Sequence, residues 1–213
     1  VKISLVLQKT INGIANALYL LRDNLNNKKF IVILADEYYY KPNHQKLFKK
    51  ISKEYSSILT FINEPNLKIV SKNFIGYFES DKVVRLEEKP KNPKTSLMGV
   101  GTYYFDDSVF KYIEKTKISH LRNEKEITDV IDNMSKDLKV GYQIIDCKYF
   151  NISNRTDLIN ANYIIRTLNF HNKKISLVIP AYNEEQSIEE VIIDYKNYNI
   201  FYEIIVVDNN SKD

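Results

Sequence analysis

The stretch Phe30-Ile31-Val32-Ile33-Leu34-Ala35-Asp36-Glu37 decides the fold class. A continuous apolar run rich in β-branched residues is the pattern of a strand buried on both faces, as in α/β sheets. An acid directly after such a run stands at the carboxyl end of a strand, where open α/β sheets gather their ligand groups. Upstream, residues 12–25 carry Ile14, Ala17, Leu18 and Leu21 at a helical period, and Ile3-Ser4-Leu5-Val6-Leu7 reads as a short strand.

The alternation continues downstream. A lysine-rich amphipathic helix is predicted around 44–54, a strand at 57–62, and a hairpin of 74–78 and 82–86 about Glu79-Ser80-Asp81. A tyrosine-rich strand at 98–105 follows, then helices at 107–115, 124–135 and 156–167, with a strand at 140–147 before the last. Helical periodicity ends at Leu168-Asn169-Phe170-His171-Asn172, the expected linker. Beyond it the apolar run Ile175-Ser176-Leu177-Val178-Ile179 breaks at Pro180-Ala181-Tyr182-Asn183-Glu184-Glu185. A helix-like stretch and the run Glu203-Ile204-Ile205-Val206-Val207 then lead to Asp208-Asn209-Asn210-Ser211. The expected organisation is an α/β domain over residues 1–170, a mixed Rossmann-like sheet flanked by helices, and the first βαβ unit of a second α/β domain over 173–213.

Composition sets limits on function. The 213 residues suffice for one or two domains with real cores, and 44% hydrophobic with 27% charged residues is ordinary for a globular protein. The net charge of +4 comes from scattered lysines alternating with Asp and Glu, which gives no support for nucleic-acid or membrane binding. Cys147 is the single cysteine, so an internal disulfide and a cysteine metal cluster are excluded; a reducing, cytoplasmic setting fits. No apolar run approaches the ~20 residues of a transmembrane helix.

Several residues carry candidate chemistry. Gln8, Lys9 and Gly13 surround the entry to the first helix, where free N–H groups and a permissive glycine admit a ligand. Asp36, after its strand, is a natural Mg²⁺ ligand, since that ion takes few carboxylates together with phosphate oxygens. Glu87-Glu88-Lys89-Pro90 follows another strand: a carboxylate there suits sugar hydroxyls and Lys89 suits a phosphate. Gly99 and Gly101 leave room for a ring to lie against the backbone. Structural readings stand beside these: Asp36-Glu37 as capping or turn acids, Glu87–Lys89 as a charged turn, the paired glycines as a bulge, and Gly13 as a loop glycine.

In their order, NGIANALYLL (12–21), FIVILADEYY (30–39), VVRLEEKPKNPKTSLMGVGTYYFDDSVF (83–110), RNEKEITDVIDNM (122–134) and FNISNRTDLINAN (150–162) resemble the sugar-1-phosphate nucleotidyltransferases over roughly residues 1–168. The resemblance implies that Gln8 and Gly13 sit near the nucleobase and that Asp36 holds Mg²⁺ against the phosphates. It also implies that Gly76, Glu88, Lys89 and Gly101 line the sugar-phosphate pocket, with Asp36 and Lys89 as the catalytic pair. The reaction implied is nucleotidyl transfer from an NTP to a sugar 1-phosphate, driven by positioning and charge neutralisation.

Residues 178–185 and 203–213, VIPAYNEE and EIIVVDNNSKD, resemble the opening of family-2-type glycosyltransferases. That resemblance places Pro180, Tyr182, Glu184 and Asp208 around the nucleoside of a nucleotide-sugar donor; capping and turn roles are the structural alternative. The whole then reads as a window of a bifunctional enzyme. The nucleotidyltransferase family's glycine-rich loop with its Arg and Lys is expected upstream of Val1, and the transferase's metal pair and base downstream of Asp213. The chain alone is expected to be inactive in both reactions. Two departures bear on the first site: Ala35 stands where the family more often has Gly, and Asn151 where many members have a second metal-binding Asp. They motivate the rival reading, a non-catalytic sensor or scaffold module attached to a glycosyltransferase.

Overall fold

A computed structural model describes residues 2–51, 54–119, 124–171 and 173–213, with the backbone alone at 170 and 171. Parts of three expected features fall outside these residues: the end of the helix at 44–54, the start of the RNEKEITDVIDNM motif, and Asn172 of the expected linker. The chain forms two compact units, Val1–Asn151 and Ile152–Asp213.

The first unit runs α1 (Gly13–Tyr19), α2 (Arg22–Leu25), β1 (Phe30–Ile33), β2 (Glu37–Tyr40), α3 (Gln45–Lys50), β3 (Ser57–Asn63), α4 (Leu67–Val70), β4 (Phe74–Glu79) and β5 (Lys82–Glu88). It continues with β6 (Leu97–Phe105), α5 (Val109–Lys115), α6 (Ile127–Asp137), β7 (Val140–Ile144) and β8 (Lys148–Asn151). Six strands make one mixed sheet in the order β1-β6-β3-β7-β5-β4. β3 and β7 run parallel, while β6 is antiparallel to β1 and to β3. The mixed α/β architecture is the expected one.

β3 and β6 form the middle of the core: Ile58, Leu59, Phe61, Val100, Tyr104 and Phe105 are almost wholly buried. Burial of each such side chain contributes about 1.5–3 kcal/mol. α6 covers the part of this core that holds Leu59, Phe61 and Phe105 with Ile127, Val130, Ile131 and Met134, and its Asp132 accepts the Leu86 N–H at 3.0 Å. β5 stops at Glu88 because Pro90 has no N–H to offer; Lys89 turns the chain at φ +46° and donates its N–H to the Asn73 carbonyl at 2.8 Å.

Four local expectations are corrected. Ile3–Leu7 joins no ladder, and Ile3 and Leu5 are 83% and 96% exposed; a β-prone run without a hydrogen-bonding neighbour has nothing to fix it as a strand. The run at Phe30–Ile33 is half-buried rather than enclosed, because β1 is an edge strand with only β6 beside it among the described residues. Its face, with Leu18, Leu21 and Leu25, lines an open apolar groove of about 500 Å³. The strand expected over 140–147 breaks after Ile144: Ile145 bonds to the Phe61 carbonyl at 2.7 Å and Asn43 accepts the Asp146 N–H at 2.9 Å. Lys148–Asn151 then leaves the sheet to pair with β2. Finally, the expected linker at 168–172 is helical as far as His171.

The second unit holds α7 (Arg155–His171), β9 (Ser176–Ala181), α8 (Ile188–Asn197) and β10 (Glu203–Asp208). β9 and β10 pair in parallel around α8, the expected strand–helix–strand unit. Pro180 lies inside β9 rather than ending it, a position that the edge of a two-stranded sheet tolerates.

Candidate functional site

A cleft of about 300 Å³ opens in the first unit where β2, β6 and β8 meet the end of β5. Its lining includes Asp36, Glu37 and Asn151 of the β2–β8 region and Glu88, Lys89, Lys72 and Asn73 around the end of β5. Gly99, Val100, Gly101 and Tyr103 of β6 form the floor, and Glu126, Ile127 and Thr128 enter at the start of α6. Four carboxylates against two lysines make a cleft suited to a cation together with an anion.

Local structure explains these placements. The antiparallel β2–β8 ribbon sets Glu37 opposite Asn151 and Tyr39 opposite Tyr149. Because strand side chains alternate, these four share one face, while Tyr38 and Phe150 share the other, rings 6.4 Å apart. Glu37 accepts hydrogen bonds from the Tyr39 hydroxyl, from the Tyr149 hydroxyl at 2.9 Å and from the Gly101 N–H at 2.8 and 3.0 Å. Burial raises its carboxyl above the ordinary range, against the pull of those donors. Burial, and then the nearby charges of Glu37, Glu88 and Asp36, likewise hold the Tyr103 hydroxyl protonated.

Of the residues singled out in the sequence, Asp36, Asn151, Glu88, Lys89, Gly99 and Gly101 are brought together here. Gly76 is not: it is buried in β4, and a Cβ there would meet the rings of Phe78 and Phe61 at 2.7 and 2.9 Å. At Gly99 a ring does lie against the backbone, and it is the protein's own Phe74. Gln8 and Gly13 meet each other, Gln8 Nε2 donating to the Gly13 carbonyl at 3.4 Å, but neither lines the cleft. Gly13 has φ +84° and lies so close to the Lys125 carbonyl that a Cβ would sit 2.9 Å from it. Sequence reasoning passed over Lys72, Asn73, Phe74, Tyr103, Glu126 and Thr128 and treated Glu37 only as a turn acid. The acid and amide at the two ends of aromatic runs, Glu37 before Tyr38-Tyr39 and Asn151 after Tyr149-Phe150, were the available signal.

Among the described residues no group of three or more His, Cys, Asp or Glu is placed to hold a metal ion. Mg²⁺ does not need one, since it keeps several waters and binds through one or two carboxylates plus substrate phosphates. Asp36 and Asn151, both in the lining of an acidic cleft, fit that ion.

In the second unit, the loops after β9 and β10 are stitched together. The Asn183 N–H donates to Ser211 Oγ at 2.8 Å, Asn183 Oδ1 accepts the Lys212 N–H at 2.9 Å, and Asp208 accepts from Ser211 Oγ at 2.5 Å. Glu184 accepts from the Ser187 hydroxyl and lines an open hollow of about 620 Å³ with Asn183, Glu185 and Lys212. Pro180, Tyr182 and Asp208 stand beside the hollow without lining it, Tyr182 being 53% exposed.

A mixed sheet flanked by helices, with acids and a Glu-Lys turn lining one cleft, defines an α/β protein with a polar, mixed-charge site. Residues 1–167 match the family described as nucleotidyl transferase, and the chain belongs to that family. Residues 176–213 match glycosyl transferase family 2. The two matches part between residues 167 and 176, whereas the compact units divide after Asn151. Among curated relatives, the bifunctional protein GlmU of Methanocaldococcus jannaschii is 29% identical over 170 residues, covering 79% of this chain and 39% of that protein. A glucose-1-phosphate thymidylyltransferase of Streptomyces griseus is 27% identical, covering 77% of the chain and 46% of its own length. The chain thus spans less than half of these relatives. Two solved structures of UDP-glucose pyrophosphorylase share the fold. The apo form has TM-score 0.64 and 25% identity over 76% of this chain and 64% of that one. The UDP-glucose complex has TM-score 0.66 and 24% identity over 76% and 65%. Among the described residues no helix is long and apolar enough to cross a membrane.

Proposed function

We propose that the cleft is the sugar-phosphate and metal side of a sugar-1-phosphate nucleotidyltransferase site. The observation that carries this reading is that Asp36, Asn151, Glu88 and Lys89, far apart in the sequence, line one cleft. An oxygen of the sugar 1-phosphate attacks the α-phosphorus of an NTP, the bond from that phosphorus to the bridging oxygen breaks, and pyrophosphate leaves with the electron pair. Mg²⁺ bound there would neutralise phosphate charge. Asp36, backed by the amide of Asn151, would hold it. Lys89 sets a positive charge at the sugar's phosphate, Glu88 accepts sugar hydroxyls, and Gly101 belongs to the lining of the same pocket. Gln8 and Gly13 stand on the nucleobase side.

Residues 1–170 would then be one catalytic domain. Residues 173–213 would open a glycosyltransferase domain that uses a nucleotide-sugar donor, its nucleoside near Pro180, Tyr182, Glu184 and Asp208. Making and using a nucleotide sugar on one chain would couple consecutive steps.

The test is pyrophosphate release by the intact protein with a panel of NTPs and sugar 1-phosphates, wild type against Asp36→Asn. Loss of the metal-holding charge should lower turnover by about two orders of magnitude or more with folding retained. Turnover in the variant within a few-fold of wild type would remove Asp36 from the site. Binding of a nucleotide sugar without any turnover in the wild type would favour the sensor reading that Asn151 and Ala35 raise.

A further inference from the structure

Glu37 is adjacent to Asp36 and opposite Asn151, yet both of its carboxylate oxygens are turned onto protein donors. The reason lies in β6. Its register against β3 jumps: Leu59 pairs with Tyr103, but Thr60 pairs with Val100, leaving Gly101 and Thr102 without a partner in β3. A register shift of this kind frees main-chain groups that the ladder would have satisfied. Thr60 Oγ1 donates to the Thr102 carbonyl at 2.7 Å, and the Leu34 N–H donates to the Gly101 carbonyl at 3.0 Å. Gly101 presents its main-chain groups to the β1 edge of β6, just past the end of β1 at Ile33, and its N–H goes to Glu37. The same carboxylate takes the Tyr39 and Tyr149 hydroxyls, and Tyr39 in turn accepts from Thr102 Oγ1 at 3.3 Å.

We propose that Glu37 is a positioning residue that latches the β2–β8 ribbon to the irregular turn of β6, and so holds Asp36 and Asn151 in register over the floor of the cleft. It binds no substrate itself. Its consequence for metal binding rests on the nucleotidyl-transfer reading; the latch does not. The ribbon pairs with no other strand among the described residues; Tyr39 and Tyr149 pack against the buried cluster around Met98 and Val100, and the Glu37 carboxylate adds hydrogen bonds that fasten the ribbon to β6.

The experiment is NMR on the full chain, comparing wild type with Glu37→Gln and with Tyr149→Phe, which deletes one donor and spares the carboxylate. In Glu37→Gln the Gly101 amide should exchange about 10-fold faster while the core amides of Phe61 and Val130 keep their rates. The carboxyl carbon of Asp36 and the side-chain amide of Asn151 should shift, and the Mg²⁺ midpoint read at Asp36 should rise about 10-fold. Tyr149→Phe should move each signal in the same direction by less. An unchanged Gly101 rate in both variants, or acceleration shared by Phe61 and Val130, overturns the latch. Fixed Asp36 and Asn151 signals, or an unmoved midpoint, beside a faster Gly101 would reduce Glu37 to a fold-stabilising residue and overturn the positioning role. A wild type whose Asp36 ignores Mg²⁺ counts against the metal reading instead; the exchange rates and the two side-chain signals then decide the latch by themselves.

Discussion

Replacing Gly99 by alanine tests whether the floor of the cleft is packed as tightly as the structure shows. An alanine Cβ there would stand 2.0 Å from Cε2 and 2.1 Å from Cζ of Phe74, far inside contact distance. The ring cannot slide sideways, since it meets Phe61 edge-on at 5.6 Å and stacks with Tyr103 at 6.4 Å. It can retreat only towards the cleft, which it already lines. Overpacking of this kind costs about 1–3 kcal/mol. Giving up an aromatic contact adds about 0.5–1.5 kcal/mol. Stiffening of the unfolded chain by the Gly→Ala change offsets about 0.4–1 kcal/mol. The net expectation is a loss of about 2 kcal/mol, read by urea denaturation with near-ultraviolet circular dichroism of the aromatic cluster. A double-mutant cycle sharpens the test: Phe74→Leu removes the clashing ring, so the pair should be more stable than the sum of the single changes by about 1 kcal/mol or more. A loss below about 0.5 kcal/mol for Gly99→Ala, or no coupling to Phe74, would refute the packing argument.

Other expectations follow from single groups. Lys89→Ala should raise the KM for sugar 1-phosphate about 10-fold or more with the KM for NTP little changed, as steady-state kinetics with each substrate varied in turn would show; an effect confined to the NTP term would move Lys89 to the nucleotide side. Burial, aided by Asp146, pushes the Cys147 thiol up to about 11 from an ordinary 9.0, so its thiolate fraction at pH 8 is about 100-fold below that of a free thiol. Iodoacetamide should alkylate it correspondingly slowly, and a rate near that of free cysteine would contradict the burial. Hydrogen bonds from Lys139 and Tyr55 hold Asp81 at about 2, below its ordinary 3.8. A depressed carboxyl stabilises above its unfolded value and loses that contribution as pH falls from about 3.8 to about 2, so wild-type and Asp81→Asn unfolding curves should differ at pH 6 and converge near pH 2.

How far the sequence could be read differs from place to place, for physical reasons. Runs buried between neighbours announce themselves: β3 and β6 stand where apolar continuity puts them, because their burial follows from composition alone. Runs whose burial depends on a neighbour do not. Phe30–Ile33 and Ile3–Leu7 have the same apolar character as β3, yet one is an edge strand and the other pairs with no strand among the described residues, since hydrophobicity records a need for cover without naming the partner. The β2–β8 ribbon was missed because Tyr38, Tyr39, Tyr149 and Phe150 carry no strict polar–apolar alternation, and their pairing joins segments about a hundred residues apart.

The site shows the same division. The meeting of Asp36, Glu88 and Lys89 in one cleft is legible because strand ends and proline stops are local features. Glycines are not legible in this way. Gly76, Gly99 and Gly101 look alike in sequence, but a missing side chain can make room for a ligand or for the protein itself, and only the packing shows which. Phe61 and Phe78 fill the space at Gly76, and Phe74 fills it at Gly99. At Gly101 the side chain of Leu34 takes that space, at 2.5 Å from where a Cβ would stand, while the glycine's own N–H reaches Glu37. The glycine whose backbone is engaged by an acid next to Asp36 is therefore tied to the cleft by a main-chain hydrogen bond that no residue pattern encodes.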